Sequence, residues 1–153
     1  MGAQQLVYGD KVINNRNQRP KDDRIYDPHN VGVKYLANGE IGLVTGHLRS
    51  KARNWVPKDL EVEFSTQPGV SYTFWGSDFA EEAEVKLELA YALTVHKAQG
   101  SEFGIVFLVL PRGTRLLNRE MLYTSLTRQR EKVIVLHQGP AAELQKLLSL
   151  IHI

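Results

Sequence analysis

Residues 91–103, with the sequence YALTVHKAQGSEF, mark the point where a strand-like pattern ends in a cluster of polar side chains. Before this point, apolar and other residues alternate with the period of a β-strand over residues 87–95, where Leu87, Leu89, Tyr91, Leu93 and Val95 are separated by Glu88, Ala90, Ala92 and Thr94. After it, residues 105–110 (IVFLVL) form an uninterrupted apolar run, which is typical of a parallel strand covered on both faces. Because ligands of open α/β sheets bind where strands end, we expect a site at this polar corner.

A second stretch repeats the change from polar to apolar residues. Residues 122–133 (LYTSLTRQREKV) lead into the apolar run 134–136 (IVL). This pattern predicts a short helix, with Asn118 as its N-cap, that runs to about Arg128 and is followed by another buried strand. A terminal amphipathic helix is expected from Ala141 to about Leu150.

Together the two stretches resemble motifs V and VI of superfamily 1 helicases, and in particular those of the RecD-like branch. The matching positions are Thr94, His96, Lys97, Gln99, Gly100, Ser101, Glu102 and Phe103, followed by Leu122, Tyr123, Thr124, Thr127 and Arg128. The resemblance implies an α/β fold with part of a RecA-like, P-loop-NTPase-type parallel sheet and its helices. Residues 86–153 would form this portion of the motor, and residues 1–11 would supply the first strand of the same motor domain.

The stretch between them, residues 12–85, has the pattern of a small β-rich domain. Residues 60–64 and 70–75 have short strand patterns, and Asn38-Gly39 predicts a hairpin between residues 34–36 and 41–44. The sequences GDKV at 9–12 and NGEIG at 38–42 resemble the SH3-like β-barrel insertion of RecD-like helicases. Residues 14–30 have no apolar period and predict a long exposed loop, longer than that of the family.

Composition places the chain among globular proteins. It has 153 residues, 42% of them hydrophobic, and no cysteine, which excludes disulfides and thiolate metal sites. No apolar run reaches the length of a membrane helix and no signal peptide is recognisable, so we expect a cytoplasmic protein that binds no membrane. Net charge is +4 over residues 1–60, −6 over 61–103 and +4 over 104–153, compatible either with a phosphate-binding face or with ordinary charge mixing.

The family resemblance assigns Arg128 as the catalytic arginine finger. A guanidinium that enters an interdomain cleft can stabilise charge on the γ-phosphate in the transition state. The alternative is that Arg128, or Arg130, complements the dipole at the C-terminal end of the helix. By the same resemblance, the residues that line the nucleotide are Gln99, Gly100, Glu102 and Arg128. Glu102 could instead pin its own loop.

The first motif is expected to lie along single-stranded DNA. The residues assigned to this contact are Thr94, His96, Lys97 and Ser101. Hydroxyl and imidazole groups can donate to phosphate oxygens. The alternatives are an N-cap for Thr94 and a structural role for His96. Trp55, Tyr72, Phe74 and Trp75 could stack on bases if they were exposed, but most such aromatic residues in β-rich domains belong to the core.

No P-loop of the form GxxxxGK[ST] occurs in the sequence. We therefore expect a C-terminal fragment of a RecD-like, 5′-to-3′ helicase that requires ATP and Mg²⁺ in the full-length protein and is inactive alone. Its expected partners are single-stranded DNA, the N-terminal motor domain of the same protein, and possible recombination or repair subunits. No metal site is expected, because the five histidines are scattered. Two alternatives remain: a non-catalytic nucleic-acid-binding module and a protein-docking domain.

Overall fold

The computed structural model describes residues 1–49, 57–80, 86–112 and 118–149 of the chain. These residues form two compact units, unit 1 (Met1–Ala92) and unit 2 (Leu93–Ile153). Unit 1 contains a six-stranded antiparallel sheet, and unit 2 contains a two-stranded parallel sheet with two helices. The fold is therefore mixed α/β, with the antiparallel and parallel parts segregated along the chain.

The sheet of unit 1 is built from short strands, all of which pair antiparallel. Its strands are β1 (Lys11–Asn14), β2 (Ile25–Tyr26), β3 (Ile41–Arg49), β4 (Pro57–Phe64), β5 (Ser71–Trp75) and β6 (Leu87–Leu89), in the spatial order β2-β5-β4-β3-β1-β6. Two 3₁₀ helices, Asp22–Arg24 and Gly76–Phe79, precede β2 and follow β5. The boundary predicted between residues 11 and 12 falls inside β1, and residues 1–10 contain turns but no strand.

The strand patterns of unit 1 arise from one buried face. Leu60, Val62 and Phe64 alternate along β4 and are fully buried, as the period-2 pattern predicts. The ring of Phe64 meets that of Tyr72 on β5 edge to face, with 5.8 Å between the ring centroids. Val12 of β1 and Val44 of β3 belong to the same core.

The hairpin predicted around Asn38-Gly39 is wrong, although the turn itself is present. Gly39 has a φ of +93°, which glycine adopts readily, and the turn leads directly into β3. On its other side, however, Leu36 forms only an isolated bridge with Gln18, so β3 pairs with β1 and β4 instead.

The predicted loop after β1 is attached to the sheet of unit 1 by buried hydrogen bonds. Asn14 is fully buried, and its side-chain amide donates to the carbonyl oxygens of Arg16 (2.7 Å) and Ala37 (2.6 Å). Gln18 donates to the Asn14 Oδ1 at 2.7 Å and exchanges two backbone hydrogen bonds of 2.9 Å with Leu36. These contacts fix the first part of the loop, because buried amides that lose their partners are costly.

A buried carboxylate, Asp78, joins three segments of unit 1. It accepts from the Arg24 guanidinium at 2.6 Å, from the Trp75 backbone N–H at 2.9 Å and from the Lys86 ammonium. Burial alone would raise the pKa of Asp78. The Lys86 hydrogen bond, the Trp75 N–H and the two positive charges outweigh burial and hold the pKa below its ordinary value.

The depressed pKa predicts how acid affects unit 1. Because the unfolded state binds the proton more tightly than folded Asp78 does, this stabilisation is present above about pH 4 and is lost as pH falls through the folded pKa. Asp78→Asn should lower the free energy of unfolding at neutral pH by about 2 kcal/mol and flatten its dependence on pH below about 5. Urea unfolding followed by tryptophan fluorescence measures this, because both tryptophans belong to unit 1.

Asp22→Asn provides the matched control, since Asp22 pairs with Lys34 on the surface (3.1 Å). Its effect should stay below about 0.5 kcal/mol. Equal losses in the two variants would contradict the role assigned to Asp78.

Unit 2 is a strand–helix–strand element followed by a helix. Its elements are β7 (Phe103–Leu110), α1 (Arg119–Leu126), β8 (Gln129–His137) and α2 (Ala141–Leu148). The two strands pair parallel, with Phe107 opposite Ile134. As predicted, Asn118 caps α1, its side-chain oxygen accepting from the Met121 N–H at 2.8 Å. The expected last residue of the second helix, Leu150, lies outside the described residues.

The predicted strand 87–95 is shorter than expected. Only Leu87–Leu89 form β6, because its partner β1 has four residues and their antiparallel pairing ends when the Ala90 N–H donates to the Lys11 carbonyl at 2.8 Å. Beyond this point Thr94 begins a local turn. The alternation at residues 91–95 is therefore not a strand signal.

The apolar run 105–110 is a strand, but it is not covered on both faces. Leu108 and Leu110 are buried against Leu122 of α1, and Leu126 and Leu144 pack on the same cluster. The opposite face carries large apolar side chains that are half or more exposed: Ile105 (52%), Phe107 (63%), Val109 (62%) and Leu136 (50%). Both described helices thus cover one face of the parallel pair and leave the other to solvent.

Candidate functional site

The residues predicted to contact DNA lie on a turn at the start of unit 2. The Thr94 carbonyl accepts from the Ala98 N–H at 3.0 Å, and the Ala98 carbonyl accepts from the Ser101 N–H at 3.2 Å. The Thr94 hydroxyl accepts from the Lys97 N–H at 3.3 Å, as an N-cap does. Thr94 and His96 are exposed, while Lys97 and Ser101 are partly buried. We call residues 94–101 the turn segment.

Gly100 ends the turn segment in a left-handed conformation. Its φ is +81°, and a Cβ added there would meet no atom within 4 Å. The position is therefore open in space but costly for any residue that has a Cβ. The backbone conformation alone therefore explains a glycine at position 100, without reference to any ligand.

The turn segment meets the end of α1 through the first residues of the parallel strands. The Phe103 N–H donates to the Arg128 carbonyl at 2.9 Å, and Phe103 pairs with Gln129. Next to this pair, Glu102 accepts from the Arg130 Nε at 2.8 Å. The structure thus brings Glu102 and Phe103 next to residues 128–130, although they are separated in sequence. We call this meeting point the junction.

The junction lies at the amino ends of β7 and β8, not at carboxyl ends. The rule that ligands bind beyond the carboxyl ends of parallel strands therefore does not apply to it. The reason given for expecting a site at the polar corner was therefore wrong, and the site itself stays a prediction. The turn segment precedes β7, and Arg128 precedes β8.

Arg128 folds back on the end of its own helix. Its Nε donates to the Thr124 carbonyl at 3.1 Å and its Nη2 donates to the Thr127 hydroxyl at 3.3 Å. This arrangement satisfies one of the carbonyls that a helix leaves without a partner at its C-terminal end. The guanidinium is partly buried and next to the junction.

Arg130 has a different environment from the one expected. It belongs to β8 and forms an exposed ion pair with Glu102 instead of complementing the dipole of α1. Glu102 therefore contacts Arg130 across the junction in this structure. Sequence reasoning missed this ion pair, although both strands were predicted. Glu102 directly precedes Phe103 and Arg130 directly follows Gln129, and Phe103 and Gln129 are the first paired residues of the two strands.

The aromatic residues of unit 1 offer little surface for base stacking. Tyr72 and Phe74 are buried in the core, and Trp55 lies outside the described residues. Trp75 is partly exposed, and the Arg24 guanidinium lies 3.9 Å from the centre of its ring. This cation–π contact holds the arginine over one face of the indole.

Within the ranges that the structure describes, no group of three or more histidine, aspartate or glutamate side chains could hold a metal ion. The described helices are also too short and too polar to cross a membrane. The junction contains two arginines, whose guanidinium groups suit phosphate ligands, and one carboxylate, Glu102, that is paired with Arg130.

Comparison with known families assigns a class to this part of the chain. Residues 89–136, which contain the turn segment, the junction, α1 and most of β8, match the UvrD-like helicase C-terminal domain. The resemblance drawn from the two motifs is confirmed for this region.

Partial similarity to individual helicases extends the match. The chain is 32% identical over 103 residues to the RecBCD enzyme subunit RecD of Buchnera aphidicola, covering 64% of this chain and 14% of that one. It is 53% identical over 47 residues to the ATP-dependent RecD2 DNA helicase of Deinococcus radiodurans, covering 30% and 7%. An uncharacterised protein of Methanocaldococcus jannaschii is 44% identical over 54 residues, covering 35% and 5%. The matched regions thus span a small part of each relative.

The conformation of Gly100 gives a test of the turn segment. Gly100→Ala should lower the stability of unit 2 by about 1 kcal/mol, because alanine in the left-handed region costs that much. Amide hydrogen exchange at Ser101 and Phe103 measures the loss. Gly104→Ala is the control, since its Cβ would meet only ordinary contacts with Glu131 at 3.5 Å. A control that loses as much as Gly100→Ala would refute the backbone argument.

Proposed function

We propose that unit 2 is part of the motor of an ATP-dependent DNA helicase of the RecD-like kind, with a RecA-like sheet, and that unit 1 is an SH3-like insertion in it. One observation carries the proposal: the turn segment and the end of α1 are joined at the junction by the Phe103–Arg128 hydrogen bond and the Glu102–Arg130 ion pair. In this proposal, these contacts couple the two sides of the junction. This is the coupling that a translocating motor needs.

Arg128 is the catalytic arginine in this proposal. Its guanidinium now donates to a backbone carbonyl and a hydroxyl, and such neutral acceptors contribute about 1 kcal/mol each. A phosphate oxygen is a stronger acceptor because the hydrogen bond is then charge-assisted. When the nucleotide approaches, the guanidinium can leave Thr124 and Thr127 and donate to the γ-phosphate. Gln99, Gly100 and Glu102 form the wall on the other side of the junction.

Thr94, His96, Lys97 and Ser101 form the single-stranded DNA contact. Thr94 and His96 are exposed and belong to the same turn, which precedes the junction in the chain. They can donate to phosphate oxygens without reading base identity. The direction of movement proposed by resemblance is 5′ to 3′.

The rest of the motor must supply the nucleotide-binding groups. ATP and Mg²⁺ are the proposed cofactors, and the 153 residues contain no P-loop to hold them. The exposed apolar face of β7 and β8 supports a larger assembly, because parallel sheets are buried on both faces. A P-loop motor domain and further RecA-like elements of the same protein are the proposed partners, in recombination or repair. This chain alone would not hydrolyse ATP.

The arginine assignment is tested in the helicase that contains this chain. Arg128→Ala should lower DNA-stimulated ATP hydrolysis about a thousandfold, because the γ-phosphate loses its positive partner in the transition state. Affinity for single-stranded DNA should stay within about twofold, since the turn segment is unchanged. Steady-state ATPase assays and fluorescence anisotropy provide the two measurements.

Arg130→Ala is the matched control. It removes an arginine two residues away whose partner is an exposed carboxylate, so hydrolysis should change far less than with Arg128→Ala. Unchanged turnover in Arg128→Ala would show that this residue only caps its helix.

A non-catalytic nucleic-acid-binding module is the second candidate, and the present contacts of Arg128 with its own helix favour it. Such a module would bind single-stranded DNA tightly without any ATPase partner. Loss of DNA affinity in Thr94→Ala together with unchanged hydrolysis in Arg128→Ala would select this second candidate.

A further inference from the structure

Unit 1 contains a basic cleft that is separate in sequence from the turn segment and the junction. The cleft has a volume of about 400 Å³. Residues 72–74 of β5 form one side, and the loop 16–21 forms another. β2 pairs with β5 only at Ser71 and Tyr72, so the cleft lies where the outer edge of β5 is no longer covered by β2.

The charged side chains that line this cleft are all basic. They are Arg16, Arg19, Lys21, Arg24 and Lys86. Asp78 contacts Arg24 and Lys86 and neutralises one of their two charges, while Arg19 and Lys21 are exposed. Asp22 and Asp23 follow the loop but do not line the cleft, and Asp22 accepts from Lys34. The lining therefore retains an excess of positive charge that suits a polyanion.

The cleft is built in advance of any ligand. Its loop is held by the buried Asn14 amide and by the bridge between Gln18 and Leu36. On the opposite side, Asp78 and the Trp75 ring fix the Arg24 guanidinium from two directions. Because these groups are already ordered, the protein would lose little conformational entropy on binding a ligand.

We propose that the basic cleft binds the sugar–phosphate backbone of single-stranded DNA, as a second contact besides the turn segment. The inference rests on the proposed function, which makes DNA the available polyanion. Several arginine and lysine side chains around one groove match the repeated single charges of a phosphodiester chain. Arginine in particular donates two parallel hydrogen bonds to a phosphate. The bases need not be recognised, because the aromatic side chains of β5 in the cleft wall, Tyr72 and Phe74, are buried.

In this proposal, unit 1 contributes a DNA contact to the motor. The cleft would hold the DNA backbone in unit 1, whereas the proposed contact of the turn segment belongs to unit 2. The grip at the cleft depends on charge alone, so it would be independent of sequence and sensitive to salt. The loop 16–21 would then be a DNA-binding element.

The test measures binding of the full chain to labelled oligothymidylate of about 20 nucleotides, longer than the usual site of a small β-barrel. Arg19→Ala combined with Lys21→Ala removes two exposed charges from the cleft. Affinity should fall about tenfold, and the slope of log K against log salt should become shallower by about 1.4, the value for two lost phosphate contacts. Circular dichroism checks that the fold is retained.

The matched control is Lys11→Ala combined with Lys58→Ala. It lowers the net charge by the same amount, and both lysines are exposed in unit 1 outside the cleft. Unchanged affinity and slope in the control, with the loss in the cleft variant, support the proposal. Equal losses in both variants would show general charge attraction and overturn it.

Other results would also overturn it. The unmodified chain could bind oligothymidylate no better at low salt than at high salt, or the cleft variant could bind as well as the unmodified chain. A polyglutamate peptide or double-stranded DNA could also bind more tightly than oligothymidylate, with the same dependence on Arg19 and Lys21. In each case the ATPase test of Arg128 still decides the proposed function, because Arg128 belongs to unit 2.

Discussion

Parallel pairing of β7 with β8 determines which residues of unit 2 can act together. The two strands begin at Phe103 and Gln129, so whatever precedes each strand is placed side by side. The turn segment precedes the first strand and Arg128 precedes the second. Their proximity follows from the hydrogen bond between the Phe103 N–H and the Arg128 carbonyl, and needs no bound ligand. Helix α1 sets the connection between the strands and carries Arg128 at its end.

This arrangement suits a device that links two binding events. Glu102 and Arg130 form an exposed ion pair across the junction, and such pairs contribute less than about 1 kcal/mol. The weak Arg128 contacts lie beside it. Groups held this loosely can be exchanged for a nucleotide phosphate without disturbing the core of Leu108, Leu110 and Leu122. The buried core of unit 2 and the weak contacts at the junction are thus formed by different residues.

Sequence patterns predicted most elements because each one satisfies a local rule. Leu60, Val62 and Phe64 face one core, and Asn118 caps a helix that begins at the next residue. The failures have tertiary causes. Residues 91–95 alternate like a strand but do not continue the pairing with β1, since β1 is only four residues long. The apolar run 105–110 has the composition of a doubly covered strand, yet its helices pack on one face.

The residues of the candidate site could be named from the sequence, but their geometry could not. The motifs identified the turn segment and Thr127-Arg128, because their spacing is read directly from the chain. Pairing of Glu102 with Arg130 depends on strand register, which composition does not encode. The basic cleft depends on a loop that has no periodic pattern and is fixed by Asn14, a single buried amide.

The central claim is that Arg128 acts on the transition state of ATP hydrolysis. The most direct measurement is the affinity of the helicase containing this chain for ADP with aluminium fluoride, which mimics the transferred phosphoryl group, beside its affinity for ADP alone. Our account predicts that Arg128→Ala weakens binding of the transition-state analogue by about a thousandfold while ADP affinity is unchanged. Equal affinity for the analogue in the variant and the unmodified protein would contradict it.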